Sequence, residues 1–95
     1  MVRLDKFLKL SRLVKRRTLA AQLADAGAVR VNGRTAKPSS SVKEGDEVAI
    51  AFPFRLVVAK VLIDDEAVLR RPKVEGAEVV SERRLDPEEN PWHED

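Results

Sequence analysis

The sequence predicts an α+β chain in which two helices come first and a set of short strands follows. Three observations predict it. Apolar residues recur at helical spacing as far as Gly27, they alternate from Val29 onward, and turn-forming residues stand where one pattern gives way to the other. A chain of 95 residues makes one compact domain, and without cysteine it has neither a disulfide framework nor a thiolate metal site. Packing alone must hold the fold.

Leu4, Phe7, Leu8 and Ser11 share a face at i, i+3, i+4 and i+7, with Lys6 and Lys9 pointing away, which predicts a first helix from about Arg3 to Leu10. Leu19, Ala20, Leu23 and Ala24 repeat the spacing ahead of Gly27, a helix-capping residue, so the second helix runs from about Arg16 to Ala26. Beyond Gly27, Val29 and Val31 point one way and Arg30 the other, and Asn32-Gly33 supplies a tight primed turn. Residues 37–41 read as a loop, and Glu44-Gly45-Asp46 as a turn feeding a strand from Glu47 to Phe52. Pro53 interrupts the ladder, and the β-rich run from Phe54 to Ile63 is the next strand. Phe7, Phe52 and Phe54 have apolar neighbours and are expected in the core. Past Asp64 one short strand is expected at Ala77–Val80. From Leu85 to Asp95 two prolines and many acids predict disorder, with Trp92 either unstructured or a docking anchor.

The net charge of +2 conceals an asymmetry. Residues 1–63 hold 13 Lys and Arg against 5 Asp and Glu, a net of +8, whereas residues 64–95 hold 5 against 11, a net of −6. The basic part calls for a polyanionic partner and the acidic part for a solvated tail. The start of the chain reaches a charge at Arg3 with no long apolar run behind it, and no apolar run approaches the roughly 20 residues that cross a bilayer. A cytoplasmic protein without export or membrane association is expected.

The cations concentrate where helix physics disfavours them. Arg12, Lys15, Arg16 and Arg17 sit at the start of the second helix, whose dipole already places partial positive charge there. No Ser, Thr, Asp or Asn occupies the capping position, and Ser11 is too far upstream, so the first N–H groups lack a side-chain acceptor. An arriving phosphate relieves both problems. With Arg3 and Lys6 on the first helix, and Arg30 and Arg34 on the hairpin, the candidate RNA-binding residues are Arg3, Lys6, Arg12, Lys15, Arg16, Arg17, Arg30 and Arg34. Asp5 is expected to pair with Lys9 at i, i+4 spacing rather than to orient Arg3.

Arg3-Leu4-Asp5-Lys6-Phe7-Leu8, Arg17 with Ala20 and Leu23, Gly27 to Gly33, and Val42 to Val48 together resemble the S4 RNA-binding domain over about Arg3 to Phe52. That resemblance implies an S4-type (alpha-L-like) domain over 1–63, its two helices packed on a small, mostly antiparallel sheet, with an extension at 64–84 and the acidic tail at 85–95. It departs from the family at Arg16, where many members carry a serine able to cap the helix. Among short stand-alone members, residues 3–9 and 11–20 look like a group of bacterial ribosome-associated quality-control factors. This implies a monomer that binds large-subunit rRNA and P-site peptidyl-tRNA on obstructed subunits and works beside an alanine-tailing factor, with Arg3 and Arg17 foremost on the rRNA. No cofactor or metal is implied.

Two rival readings remain at this stage. The chain also resembles heat-shock-type S4 proteins that rescue large subunits carrying peptidyl-tRNA, whose extensions are usually longer and basic where this one is acidic. From another class come an accessory module of an RNA-modifying enzyme and a protein-interaction module. With no tyrosine and His93 as its one histidine, the chain offers few bases or nucleophiles, and Ser39-Ser40-Ser41 has no histidine nearby, so an enzyme is not expected.

Overall fold

The computed structural model describes residues 1–92. Strand β1 (Val2–Arg3) leads into α1 (Leu4–Leu10), followed by α2 (Arg17–Asp25), β2 (Val29–Val31), β3 (Arg34–Thr35), β4 (Ser41–Val42), β5 (Glu47–Phe52), β6 (Arg55–Val61), α3 (Glu66–Leu69) and β7 (Ala77–Arg84). The strands form an antiparallel sheet in the order β3-β2-β5-β6-β7, and β1 pairs antiparallel with β4 as a separate ribbon. No helix among the described residues is long and apolar enough to cross a membrane.

The two helices are too short to persist alone, so packing must stabilise them. Leu4, Phe7 and Leu8 of α1 and Ala20 and Ala24 of α2 are buried against Val29, Val48 and Ile50 of the sheet. Burying side chains of the size of Leu or Phe contributes about 1.5–3 kcal/mol each. Alanine at positions 20 and 24 keeps α2 close to its partners. Gly27 ends α2 with φ +77°, and its N–H donates to the Ala24 carbonyl at 3.0 Å. The hairpin turn has both central residues at positive φ, Asn32 at 51° and Gly33 at 80°, as the sequence pattern requires. Asn32 also ties this turn to the next: its Nδ2 donates to buried Asp46 at 3.1 Å, and its Oδ1 accepts from Glu47 N–H at 2.9 Å.

The structure adds β1, β4 and α3 to the expected elements and differs from the sequence reading in the C-terminal half. The strand expected over 77–80 continues to Arg84, because β7 is an edge strand whose outer charges stay in water while Arg55 of β6 pairs with Glu82 at 3.0 Å. Phe54, expected in the core, is 65% exposed in the turn between β5 and β6, whereas Phe7 is buried and Phe52 packs against the core. Leu85, placed at the start of a disordered tail, is buried and donates its N–H to the Phe54 carbonyl at 2.8 Å. Trp92 lies over Arg30, 4.5 Å from guanidinium carbon to ring centroid, and donates Nε1–H to the Gly27 carbonyl at 3.2 Å. Residues 93–95 of the expected disordered tail, His93 included, lie outside the described residues.

Because Trp92 is the only tryptophan, its fluorescence reports this seat directly. The native protein is expected to emit at shorter wavelength than free indole and to shift red in denaturant. Trp92→Ala is expected to cost about 1 kcal/mol, the scale of one hydrogen bond with a cation–π contact. Native emission already equal to that of exposed indole would show the seat to be empty in solution.

Candidate nucleic-acid interface

The structure gathers the leading cations around one carboxylate. Asp5, 4% exposed near the start of α1, receives Arg3 in a fork, Nε on Oδ1 at 3.2 Å and Nη2 on Oδ2 at 3.1 Å. Arg17, the first residue of α2, places Nε 3.3 Å from Oδ2, and Lys6 N–H donates to Oδ1 at 2.8 Å. The expected Asp5–Lys9 pair is therefore replaced. Side chains on a helix lean toward its N-terminus, which directs Asp5 to Arg3 and away from the later turn that carries Lys9.

Burial is the largest single influence on the Asp5 pKa and pushes it up. The Arg3 hydrogen bonds, the Lys6 N–H and the charges of Arg17 and Arg3 together outweigh it, holding the carboxyl below its ordinary value. One negative charge thus meets two guanidiniums. Both remain about half exposed, 47% and 48%, and each keeps donors directed away from the carboxylate. Asp5 fixes the two without cancelling them.

The ends of the two helices differ. The α1 start is covered by backbone, with Leu4 N–H on the Ser40 carbonyl at 2.6 Å and Asp5 N–H on the Pro38 carbonyl at 3.1 Å. The α2 start has extended Arg16 as its N-cap, no side-chain cap hydrogen bond, and no acidic residue in its first turn. Exposed Lys15 and Arg16 immediately precede these N–H groups and Arg17 begins the helix, so free donors and cations fall at one end, an arrangement suited to a phosphate. Arg12 stands exposed in the loop between the helices, and among the described residues neither it nor Lys15 nor Arg16 has an ion pair.

The other predicted residues fall elsewhere. Lys6 is drawn to α3 by an ion pair with Glu66 at 3.0 Å. Arg34 is exposed on edge strand β3, opposite Val31. Arg30 is not part of the helical cluster: Val29 and Val31 on either side of it join the core beneath the helices, so strand alternation turns Arg30 to the opposite face, under Trp92.

Sequence reasoning missed two residues. Asp5 was legible in principle, as the only carboxylate in residues 1–24, where seven cations stand. Lys37 was not. The loop after β3 brings it to a cleft of about 530 Å³ that Arg3 also lines, beside the end of α2.

The chain is similar to known proteins over most of its length. The S4 domain model matches residues 2–48. The RQC P-site tRNA stabilizing factor of Listeria monocytogenes is 45% identical over 85 residues, covering 90% of this chain and 92% of its own length. The protein of the same name from Bacillus subtilis is 57% identical over 60 residues, covering 63% and 70%. Among solved structures, a trimeric heat shock protein 15 from Vibrio cholerae matches with a TM-score of 0.73 at 30% identity, covering 84% of this chain and 82% of that one. A lone carboxylate organising two arginines beside an uncapped helix thus belongs to a chain of the S4-domain family, in the group named RQC P-site tRNA stabilizing factors.

Proposed function

We propose that this protein is a ribosome-associated quality-control factor that binds obstructed large ribosomal subunits and stabilises peptidyl-tRNA in the P site during C-terminal alanine tailing. It acts by binding, without catalysing a step. The observation that carries the reading is the paired presentation of Arg3 and Arg17 on Asp5, next to the uncapped α2 end, in a chain whose relatives bear that name. Large-subunit rRNA and peptidyl-tRNA are its partners, with Arg3, Arg17, Lys15, Arg16 and Arg12 on the phosphate backbone and Arg34 at the margin. Phosphate contacts set affinity and register, while the shape of the ribosomal site supplies selectivity.

The test is co-sedimentation with large subunits carrying stalled peptidyl-tRNA. Neutralising about 4 to 6 phosphates gives a log–log salt slope of magnitude about 3 to 5, so association is expected to fall steeply as ionic strength rises. Salt-independent association, or equal recovery with small subunits, would sink the reading. The likeness to heat shock protein 15 favours a second reading, rescue of the same subunits without tailing. Deleting the protein separates the two: loss of alanine tails on stalled chains supports the first, and retention of tails with slower subunit recycling supports the second.

A further inference from the structure

A second cationic groove, of about 290 Å³, lies between the C-terminal end of α1 and the loop that leaves α3. Lys9, Arg12, Arg70 and Arg71 line it, with Leu69 on its apolar side. Arg70 and Arg71 stand outside the residues that match the S4 domain. They belong to a part of the chain that its net negative charge marked as a solvated tail.

Three features distinguish the groove from a merely solvated face. Its cations are poorly compensated: the nearby carboxylate of Glu66 is shared between Lys6 at 3.0 Å and Arg70 at 3.2 Å, and among the described residues Lys9, Arg12 and Arg71 have no ion pair. Arg12 holds a left-handed backbone, φ 68°, at the position after the α1 cap, where α2 has Gly27 at φ 77°. An arginine there is conformationally unfavourable, and glycine would serve the cap better. The two elements also meet closely here. Leu69 is buried, and Gly76 sits so close to it and to Ser11 that a side chain there would collide with Leu69, clamping the end of α3 to the end of α1. The α1 dipole accounts for Lys9 and the i, i+4 pair with Glu66 for Arg70, but neither accounts for Arg71.

We infer that Lys9, Arg12, Arg70 and Arg71 form a second phosphate-binding groove, which continues RNA contact from the S4 domain onto the C-terminal extension. The inference rests on the RNA-binding reading above. Arg12 joins the two regions, since it lines the groove and precedes Lys15 and Arg16 in the same interhelical loop. A membrane surface would call for large exposed apolar side chains beside the cations, whereas of the apolar residues lining the groove Leu69 is 4% exposed and Leu10 is half-buried against the core, which leaves only Pro72 exposed.

The test uses the full chain with Lys9→Gln and Arg71→Gln combined, since neither residue holds an ion pair among the described residues. Binding to a short RNA duplex is measured by fluorescence anisotropy across a salt series, and co-sedimentation with large subunits is measured in parallel. The variant is expected to bind the duplex about tenfold more weakly, with a salt slope lower in magnitude by about 1 to 2. A duplex affinity and slope equal to wild type would overturn the groove, and subunit binding lost only in Arg17→Ala would then leave the proposed function standing. If wild type fails to sediment with subunits while the variant still shows the reduced duplex slope, the ribosomal reading falls and the groove stands. Unchanged RNA binding with weakened binding to vesicles of anionic phospholipid would assign the groove to a membrane and overturn it as an RNA site.

Discussion

Arg17→Ala is expected to lose about 10- to 150-fold in affinity for large ribosomal subunits while keeping its fold, the range that follows from losing about 1.5–3 kcal/mol of charge-assisted hydrogen bonding. The two halves of this expectation have separate causes. Under the proposed function, Arg17 at the start of α2 acts on the same phosphate as the uncapped N–H groups, so removing it is expected to disable the centre of the proposed interface. The fold survives because Asp5 keeps the Arg3 fork and the Lys6 N–H. Arg3→Ala is likewise expected to fold, since Arg17 and the Lys6 N–H remain on the carboxylate. Removing both arginines is different in kind. It strands a buried carboxylate on one backbone N–H, at a cost of about 2–3 kcal/mol, so weak binding by the double variant would not isolate the interface. Sedimentation of Arg17→Ala with subunits at the wild-type level and physiological ionic strength, with unchanged circular dichroism, would remove it from the site.

What the sequence disclosed and what it withheld divide along the distance over which residues interact. Both helices, the Asn32-Gly33 turn and the strand at Glu47–Phe52 were legible because each rests on local rules: apolar spacing, positive-φ residues, period-two alternation. The missing cap on α2 was legible for the same reason, since capping is decided within a few residues. Asp5 was misassigned because spacing alone permits Lys9 and Arg3 equally, and only the approach of Arg17 from a second helix makes the carboxylate a shared hub. The alternation around Arg30 was legible, but that its face lies across the sheet from the helices, under Trp92, depends on packing between distant segments. Arg70 and Arg71 were hidden by averaging their charge into an acidic segment although the fold sets them beside Lys9 and Arg12. Leu85 and Trp92 could not be placed from composition, because their partners, Phe54, Gly27 and Arg30, lie 31 or more positions away in the chain.

Asp5→Asn separates charge from placement. The substitution raises the net charge by one and leaves every arginine in the sequence, so a surface that worked by charge density alone would bind RNA at least as tightly. If Asp5 serves to hold Arg3 and Arg17 in position, the variant binds more weakly, by about 3- to 10-fold, because ordering a long side chain at an interface costs about 0.5–1.5 kcal/mol when nothing has ordered it beforehand. Stability gives an independent readout through pH. The Asp5 carboxyl sits below its ordinary value of 3.8 in the folded protein, so its ion pairs contribute fully at pH above the unfolded value and are lost as the pH falls through the lower, folded one. Wild type is therefore expected to exceed Asp5→Asn in stability by about 1–2 kcal/mol at neutral pH, with the gap closing as acid protonates the carboxyl. Glu66, also lowered, by the Lys6 and Arg70 hydrogen bonds, acts in the same direction and in an overlapping window. Making both measurements in a Glu66→Gln background removes it. A difference between the Asp5 forms that does not change from neutral pH down to pH below 3.8 would show that the carboxylate is not what binds the two arginines in solution.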